Sequence, residues 1–327
     1  MRALRFSRQG ALDCLELVEL PDPAPGPGEA LVEVRAAGLN PSDPKNVLGK
    51  MAQTTLPRVP GRDFAGVVVA GSAAWRGAEV LGSGDGLGFT RDGSHAELLA
   101  VPEEALVRKP PALSFEQAAA IGVPFMTAWS ALVIAAGVQR GDTALITGAA
   151  GTVGAAACQI AHWRGARVIG TLRGGRDPAP PPASVAAIAD PWIDLEREDL
   201  VAAVHAATAG RGVDVILDVV GGPLFEPCLR CLAHGGRQVS IAASGDPRVS
   251  FNLADFYHRE ARLLGVDSLA LGFAQSRAIL AALLPGLLDG ALTPPAIDPW
   301  PLAAGPAAYA LVDGGRARAK VVLVPGR

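Results

Sequence analysis

The second half of the chain alternates short apolar runs with longer segments of helical spacing. Candidate strands fall at 143–147, 167–172, 191–194, 213–219, 237–242 and 262–267. Helical segments lie between most of them, at about 152–164, 198–209 and 222–233. In the first of these, Val153, Ala157, Ile160 and Ala161 share one face. Strand and helix in regular alternation predict a parallel sheet covered on both faces. The exception is 174–182, GGRDPAPPP, where a helix is due and four prolines should shorten or abolish it.

The first 118 residues read differently, as β-rich sequence with many breaks. Residues 31–35 and 64–70 are strand candidates, and PDPAPGPGE at 21–29 is turn chemistry, since Pro and Gly do not extend a ladder well. Ser114 with Gln117 three residues on forms a capping box that opens a helix. A second helix is predicted over 127–136. Beyond Val266, a helix at 273–289 and a strand at 320–324 make a tail too short to fold alone. It is expected to return to the N-terminal part, giving one domain from 1–118 plus 266–327 and another from 119–265.

Half of the 327 residues are hydrophobic, enough for two sizeable cores, and the net charge is −3. That balance offers no basic stripe for nucleic acid. No apolar run reaches the roughly 18 residues of a membrane span. The N-terminus lacks the apolar core of a signal peptide, so a cytoplasmic protein is expected. Four Cys in a chain of this length do not make a disulfide framework. For Cys228 and Cys231, spaced C-x-x-C within a predicted helix, packing on a buried face is favoured over a metal or redox pair.

The stretch DTALITGAAGTVG, 142–154, carries the chemistry. A strand runs straight into Gly148, Gly151 and Gly154, and a helix follows. By spacing alone, G-x-x-G-x-x-G suits an ordinary turn as well as a phosphate cradle. The strand before, the helix after and a second strand about 20 residues on favour the cradle, where pyrophosphate lies against free N–H groups at a helix start. Gly148, Ala150, Gly151, Thr152, Val153 and Gly154 are its expected contacts. The second strand ends VIGTLRGGR, with no acid before Asp177. Thr171, Arg173 and Arg176 there suit a 2′-phosphate, which favours NADPH over NADH, the alternative being solvated surface arginines.

Several segments in order resemble the zinc-less medium-chain dehydrogenase/reductases of the quinone oxidoreductase (zeta-crystallin-like) group. They are LNPSD at 39–43, VPGRDFAGVV at 59–68, GSHAEL at 93–98, SFEQAAAIGVPFMTAW at 114–129, ITGAAGTVG at 146–154, GVDVILDVVGG at 212–222 and GGRARAKVVLV at 314–324. The resemblance implies an α/β fold: a doubly wound, six-stranded parallel Rossmann sheet plus a GroES-like, partly open β-barrel catalytic domain. In zinc alcohol dehydrogenases a Cys stands where Asn40 stands here, and Gly-His-Glu where Gly61-Arg62-Asp63 stands. An amide and an Arg do not replace Cys and His as Zn²⁺ ligands, so no metal is expected. None of the five histidines has a further ligand at metal-binding spacing, and His95 is read as a surface or core residue.

The resemblance further implies that Asn40, Ser42 and Asp43 lie beside the nicotinamide. Asn40 would be an orienting donor, Ser42 a proton relay or simply a turn-forming Ser, and Asp43 a structural anchor. Thr127 (or simply a helix cap), Ile241, Ala242, Val266 and Lys320 (or equally a solvated charge on the last strand) join the expected cofactor contacts. The expected activity is metal-free hydride transfer from NADPH to a quinone or α,β-unsaturated carbonyl. An enoyl-thioester (acryloyl-CoA type) reductase and a weakly catalytic NADPH-binding sensor or structural protein are the alternatives. A small-molecule substrate, no nucleic acid or membrane partner, and a homodimer complete the expectations.

Overall fold

The computed structural model describes residues 1–173 and 181–326. Most of the proline-rich 174–182 stretch thus lies outside the described residues. Two compact units divide the chain: 1–126 with 268–288 and 294–327, and 127–267 with 289–293.

The first unit opens with an antiparallel pair, β1 (Arg2–Phe6) and β2 (Leu15–Glu19). Next come β3 (Glu29–Gly38), α1 (Ser42–Val47), β4 (Asp63–Ala70), β5 (Glu79–Gly82), β6 (Leu98–Pro102) and β7 (Val107–Arg108). Along β3, Ala30, Val32, Val34 and Ala36 are buried at period two, the mark of a strand with one face on a core. Ala30, Val32 and Val34 pack with Phe64, Val80, Leu99 and Val101. α2 (Phe115–Ala120) begins where the sequence places it: Ser114 Oγ accepts from Gln117 N, and Gln117 Oε1 accepts from Ser114 N.

The helix expected over 127–136 starts instead at Gly122, as α3 (Gly122–Trp129), and continues as a π-helical turn over Ser130–Ala135. Ala136 N donates to Ala131 O at 2.9 Å, an i→i+5 bond. The widened end is held by a distant side chain, since Arg237 donates to the carbonyls of Ala136 and Gly137 and pairs with Asp142. No local pattern announces such a bond.

The second unit runs β8 (Thr143–Ile146), α4 (Thr152–Trp163), β9 (Arg167–Leu172), α5 (Ala183–Ala186), β10 (Ala189–Asp194), α6 (Leu200–Ala207), β11 (Val213–Asp218), α7 (Phe225–Cys231), β12 (Leu232–Ser240), α8 (Leu253–His258) and β13 (Arg262–Gly265). The six strands form one parallel sheet in the order β10-β9-β8-β11-β12-β13. That is the doubly wound order, with its switch point between β8 and β11. Leu145, Ile169, Ile193 and Ile216 from the sheet pack with Leu200 and Val204 of α6 and with Cys228, Leu229 and Cys231 of α7. Burial pushes the Cys231 thiol up to about 12 and that of Cys228 well above its ordinary value, so both stay protonated and unreactive.

The chain then returns to the first unit through α9 (Phe273–Leu288), β14 (Ile297–Pro301), α10 (Gly305–Asp313) and β15 (Lys320–Val324). β15 pairs with β14 in parallel and with β3 antiparallel, Val322 opposite Gly38. The seven-stranded mixed sheet runs β14-β15-β3-β4-β5-β7, with β6 also on β3. Among the described residues, no helix is long and apolar enough to cross a membrane.

Removing the α2 cap by Ser114→Ala should cost about 1 kcal/mol in urea unfolding without changing the denaturant slope.

Candidate active site

In the second unit the glycine turn sits at the switch point and is tied to both neighbouring strands. Thr147 N donates to Leu217 O at 3.1 Å, while Gly148 N donates to Thr171 Oγ1 at 3.1 Å and Ala149 N to Thr171 O at 3.0 Å. Gly148 has φ +56, a conformation L side chains rarely adopt. A Cβ on Gly154 would lie 2.2 Å from Gly148 O, so the first turn of α4 packs directly on the loop. Gly151 is the N-cap and no side chain caps the helix. The first-turn N–H groups thus have no intrahelical acceptor, and they carry the positive end of the helix dipole. Such a tip fits a diphosphate, with Ala150 and Gly151 exposed and Thr152 and Val153 half-buried around it.

Across the switch point, Thr147 Oγ1 donates to Asp218 Oδ1 at 2.9 Å and accepts from Val219 N. The same carboxylate oxygen accepts from Val220 N and Gly221 N. Asp218 therefore shapes the turn after β11. The run DVVGG, an acid before paired glycines, holds that signal, although Asp218 was not among the expected site residues. Thr127 Oγ1 and Ser240 Oγ are buried without a partner. Thr171 is wholly buried, its hydroxyl oxygen occupied by Gly148 N–H, whereas Arg173 is exposed. Arg176 lies outside the described residues. Ile241 and Val266 are half-buried and Ala242 is exposed, each just beyond the end of β12 or β13.

In the first unit, Asn40, Ser42, Asp43 and Lys320 come together with Arg62, Asp63, His95 and Tyr309. Asn40 N donates to Asp43 Oδ2 at 2.7 Å, and Asn40 Nδ2 donates to Asp63 Oδ2 at 2.8 Å. Lys320 Nζ donates to Asn40 Oδ1 at 2.5 Å. Asp63 Oδ1 accepts from Val123 N, and Arg62 donates to Ser268 O. Ser42 Oγ and Asp43 Oδ1 are buried without a partner. Burial drives the Asp43 carboxyl up to about 7, against the lowering effect of the Asn40 N–H and the Arg62 and Lys320 charges. Burial also pulls the Lys320 ammonium below its ordinary value, opposed by Asp63 and Asp43.

His95 proves to be a core residue. Its Nδ1 lies 2.7 Å from Tyr309 Oη, and its Nε2 lies 3.4 Å from Gly38 O. The carbonyl can only accept, so Nε2 carries the proton and the phenol donates to Nδ1. Burial lowers the ring's pKa to about 3, which keeps it neutral. Gly61 (φ +100) leaves room for this ring, since a Cβ there would lie 2.4 Å from His95 Cδ2. Among the described residues, no group of three or more His, Cys, Asp or Glu is placed to hold a metal ion.

Comparison with known proteins agrees with this architecture. Residues 26–111 match the alcohol dehydrogenase GroES-like domain, and 152–283 match the zinc-binding dehydrogenase domain. The quinone oxidoreductase of Pongo abelii is 30% identical over 99% of this chain and 98% of its own length. The chain belongs to the zinc-less medium-chain dehydrogenase/reductases, in their quinone oxidoreductase-like group. It is therefore a nicotinamide-dependent oxidoreductase by family. A zinc-type alcohol dehydrogenase-like protein of Schizosaccharomyces pombe is 39% identical over 86% of this chain and 83% of its own. A crystal structure of an NAD-dependent alcohol dehydrogenase superposes with a TM-score of 0.88 at 32% identity, covering 99% of each chain.

The raised Asp43 pKa bears on the stability of this family member. Between the ordinary 3.8 and about 7, the folded chain holds a proton that the unfolded chain has released. Stability therefore falls as pH rises across that window, and the whole penalty, on the order of 4 kcal/mol, is present above it. Asp43→Asn should flatten this slope, gaining more stability at pH 8 than at pH 4 in paired denaturant titrations.

Proposed function

We propose that the chain is an NADPH-dependent reductase that delivers a hydride to a quinone or an α,β-unsaturated carbonyl without a metal. The observation that carries this reading is the uncapped tip of α4 at the 148–154 turn, whose first-turn N–H groups have no side-chain acceptor while Gly154 lets the helix pack directly on the loop. The 119–265 domain would hold the dinucleotide, and the 1–118 plus 266–327 domain the acceptor. When bound, the nicotinamide supplies the hydride.

The chain's own residues then bind and orient. Backbone N–H groups of the turn and first helical residues receive the diphosphate, while the Thr127 and Ser240 hydroxyls offer hydrogen bonds. Thr171 fixes the turn, leaving Arg173, with Arg176, to meet a 2′-phosphate. In the other domain the stronger Asn40 amide bond is already given to Asp63, so Asn40 holds the shape of its loop. The Ser42 hydroxyl has no partner and is the donor left for an acceptor oxygen on which negative charge builds. The buried groups at Asn40 are its own amide, Arg62, Lys320 and two carboxylates already engaged by Asn40, with no Cys–His ligand set among the described residues, which argues for chemistry without zinc.

The test is NADPH oxidation with a panel of quinones, enones and an enoyl-CoA. Turnover of 1,4-benzoquinone or an enone is expected; turnover of the enoyl-CoA alone would transfer the reading to a thioester reductase. Micromolar NADPH binding with no turnover would instead indicate a binding protein. Arg173→Ala should raise the KM for NADPH about tenfold or more while leaving that for NADH unchanged. We also propose a homodimer, formed through an edge of the parallel sheet such as β13, to be checked by light scattering.

A further inference from the structure

The proposed reaction gives Asp43 no task, yet its carboxyl is wholly buried. One oxygen accepts the Asn40 N–H and the other has no partner. A carboxylate oxygen closed off from water without a donor is costly, and a proton on it relieves that cost. The groups that face it are Arg62 and Asp63 at the start of β4, Lys320 on β15 and the Tyr309 phenol on α10. The two cations favour the charged form, while Asp63 and the dry surroundings oppose it, and the balance falls close to neutrality. Lys320 is linked to Asp43 through Asn40, whose Oδ1 takes the ammonium and whose N–H holds the carboxylate.

We propose that Asp43 is a proton-holding positioning residue: as the neutral acid it lets negative charge build on an acceptor beside Ser42, and as the anion it opposes that charge. The assignment rests on the functional reading above. The proton is exchanged with solvent and is not consumed by hydride transfer, so the effect is one of charge in a dry environment. Ser42 immediately precedes it at the start of α1 and also has a buried, unpartnered hydroxyl, so a change of charge on Asp43 takes place within one residue of that donor.

The experiment pairs infrared spectroscopy with pH–rate profiles on the full chain. In the wild type, the C=O stretch of a protonated buried carboxyl should be present in mild acid and fade near pH 7, and it should be missing from Asp43→Asn. kcat/KM should fall about tenfold per pH unit on the alkaline side, as one proton requires. Asp43→Asn, locked neutral, should keep the low-pH rate throughout. Lys320→Met, which removes a cation favouring the carboxylate, should move the infrared titration to higher pH. A wild-type spectrum without a titrating carboxyl, or an alkaline limb that persists in a folded Asp43→Asn protein, would overturn the proposal. The wild-type and Lys320→Met titrations keep the test decisive if Asp43→Asn does not fold. Because the infrared readout needs no substrate, a titrating carboxyl without reductase turnover would sink the functional reading alone. Turnover without that carboxyl would sink this inference alone.

Discussion

The bond from the Lys320 ammonium to the Asn40 amide oxygen joins residues 280 positions apart. Both ends are buried, and neither could be left without the other. An ammonium out of water needs an acceptor, and the amide, held by Asp63 on its other side, needs a donor to fix which way it faces. β15 is thereby tied to the loop after β3 by side chains as well as by the ladder. Within the same loop Asp43 is anchored to the Asn40 backbone N–H, and the Ser42 hydroxyl is buried without a partner.

The second unit solves a different problem with a similar economy. There the groups on offer are the uncapped backbone N–H donors at the start of α4, which need only a shape that leaves them bare. Thr147 and Asp218 lock the two strand ends at the switch point, Thr171 holds the turn from the other side, and missing side chains do the rest. One domain thus offers a fixed dipole for anionic oxygen, and the other offers a few polar side chains sealed from water.

Much of this was legible in the residues. The central strands of the parallel sheet announce themselves because burial on both faces leaves continuous apolar runs, β8 being buried at all four positions and β11 at five of six. The glycine turn and the Ser114 cap are local devices with local signatures. The polar network was less legible, because its members come from separate segments at 40–43, 62–63, 95, 309 and 320 and no spacing unites them. Asn40 and Lys320 were expected at the site, but their partnership was not. His95 and Tyr309, each ordinary in its own stretch, acquire meaning only as a pair. The π-helical turn escaped for the same reason, since Arg237 reaches it from about a hundred residues away.

The interrupted path of the chain sets an order of assembly. The sheet unit is nearly continuous, from 127 to 267. During synthesis it can collapse on its own as soon as β13 leaves the ribosome. The other unit is half made before that and must wait with Asn40, Asp43 and Asp63 unsealed until residue 320 emerges. A ribosome stalled between the two would therefore carry a folded parallel sheet and a first unit whose buried charges are still open to water.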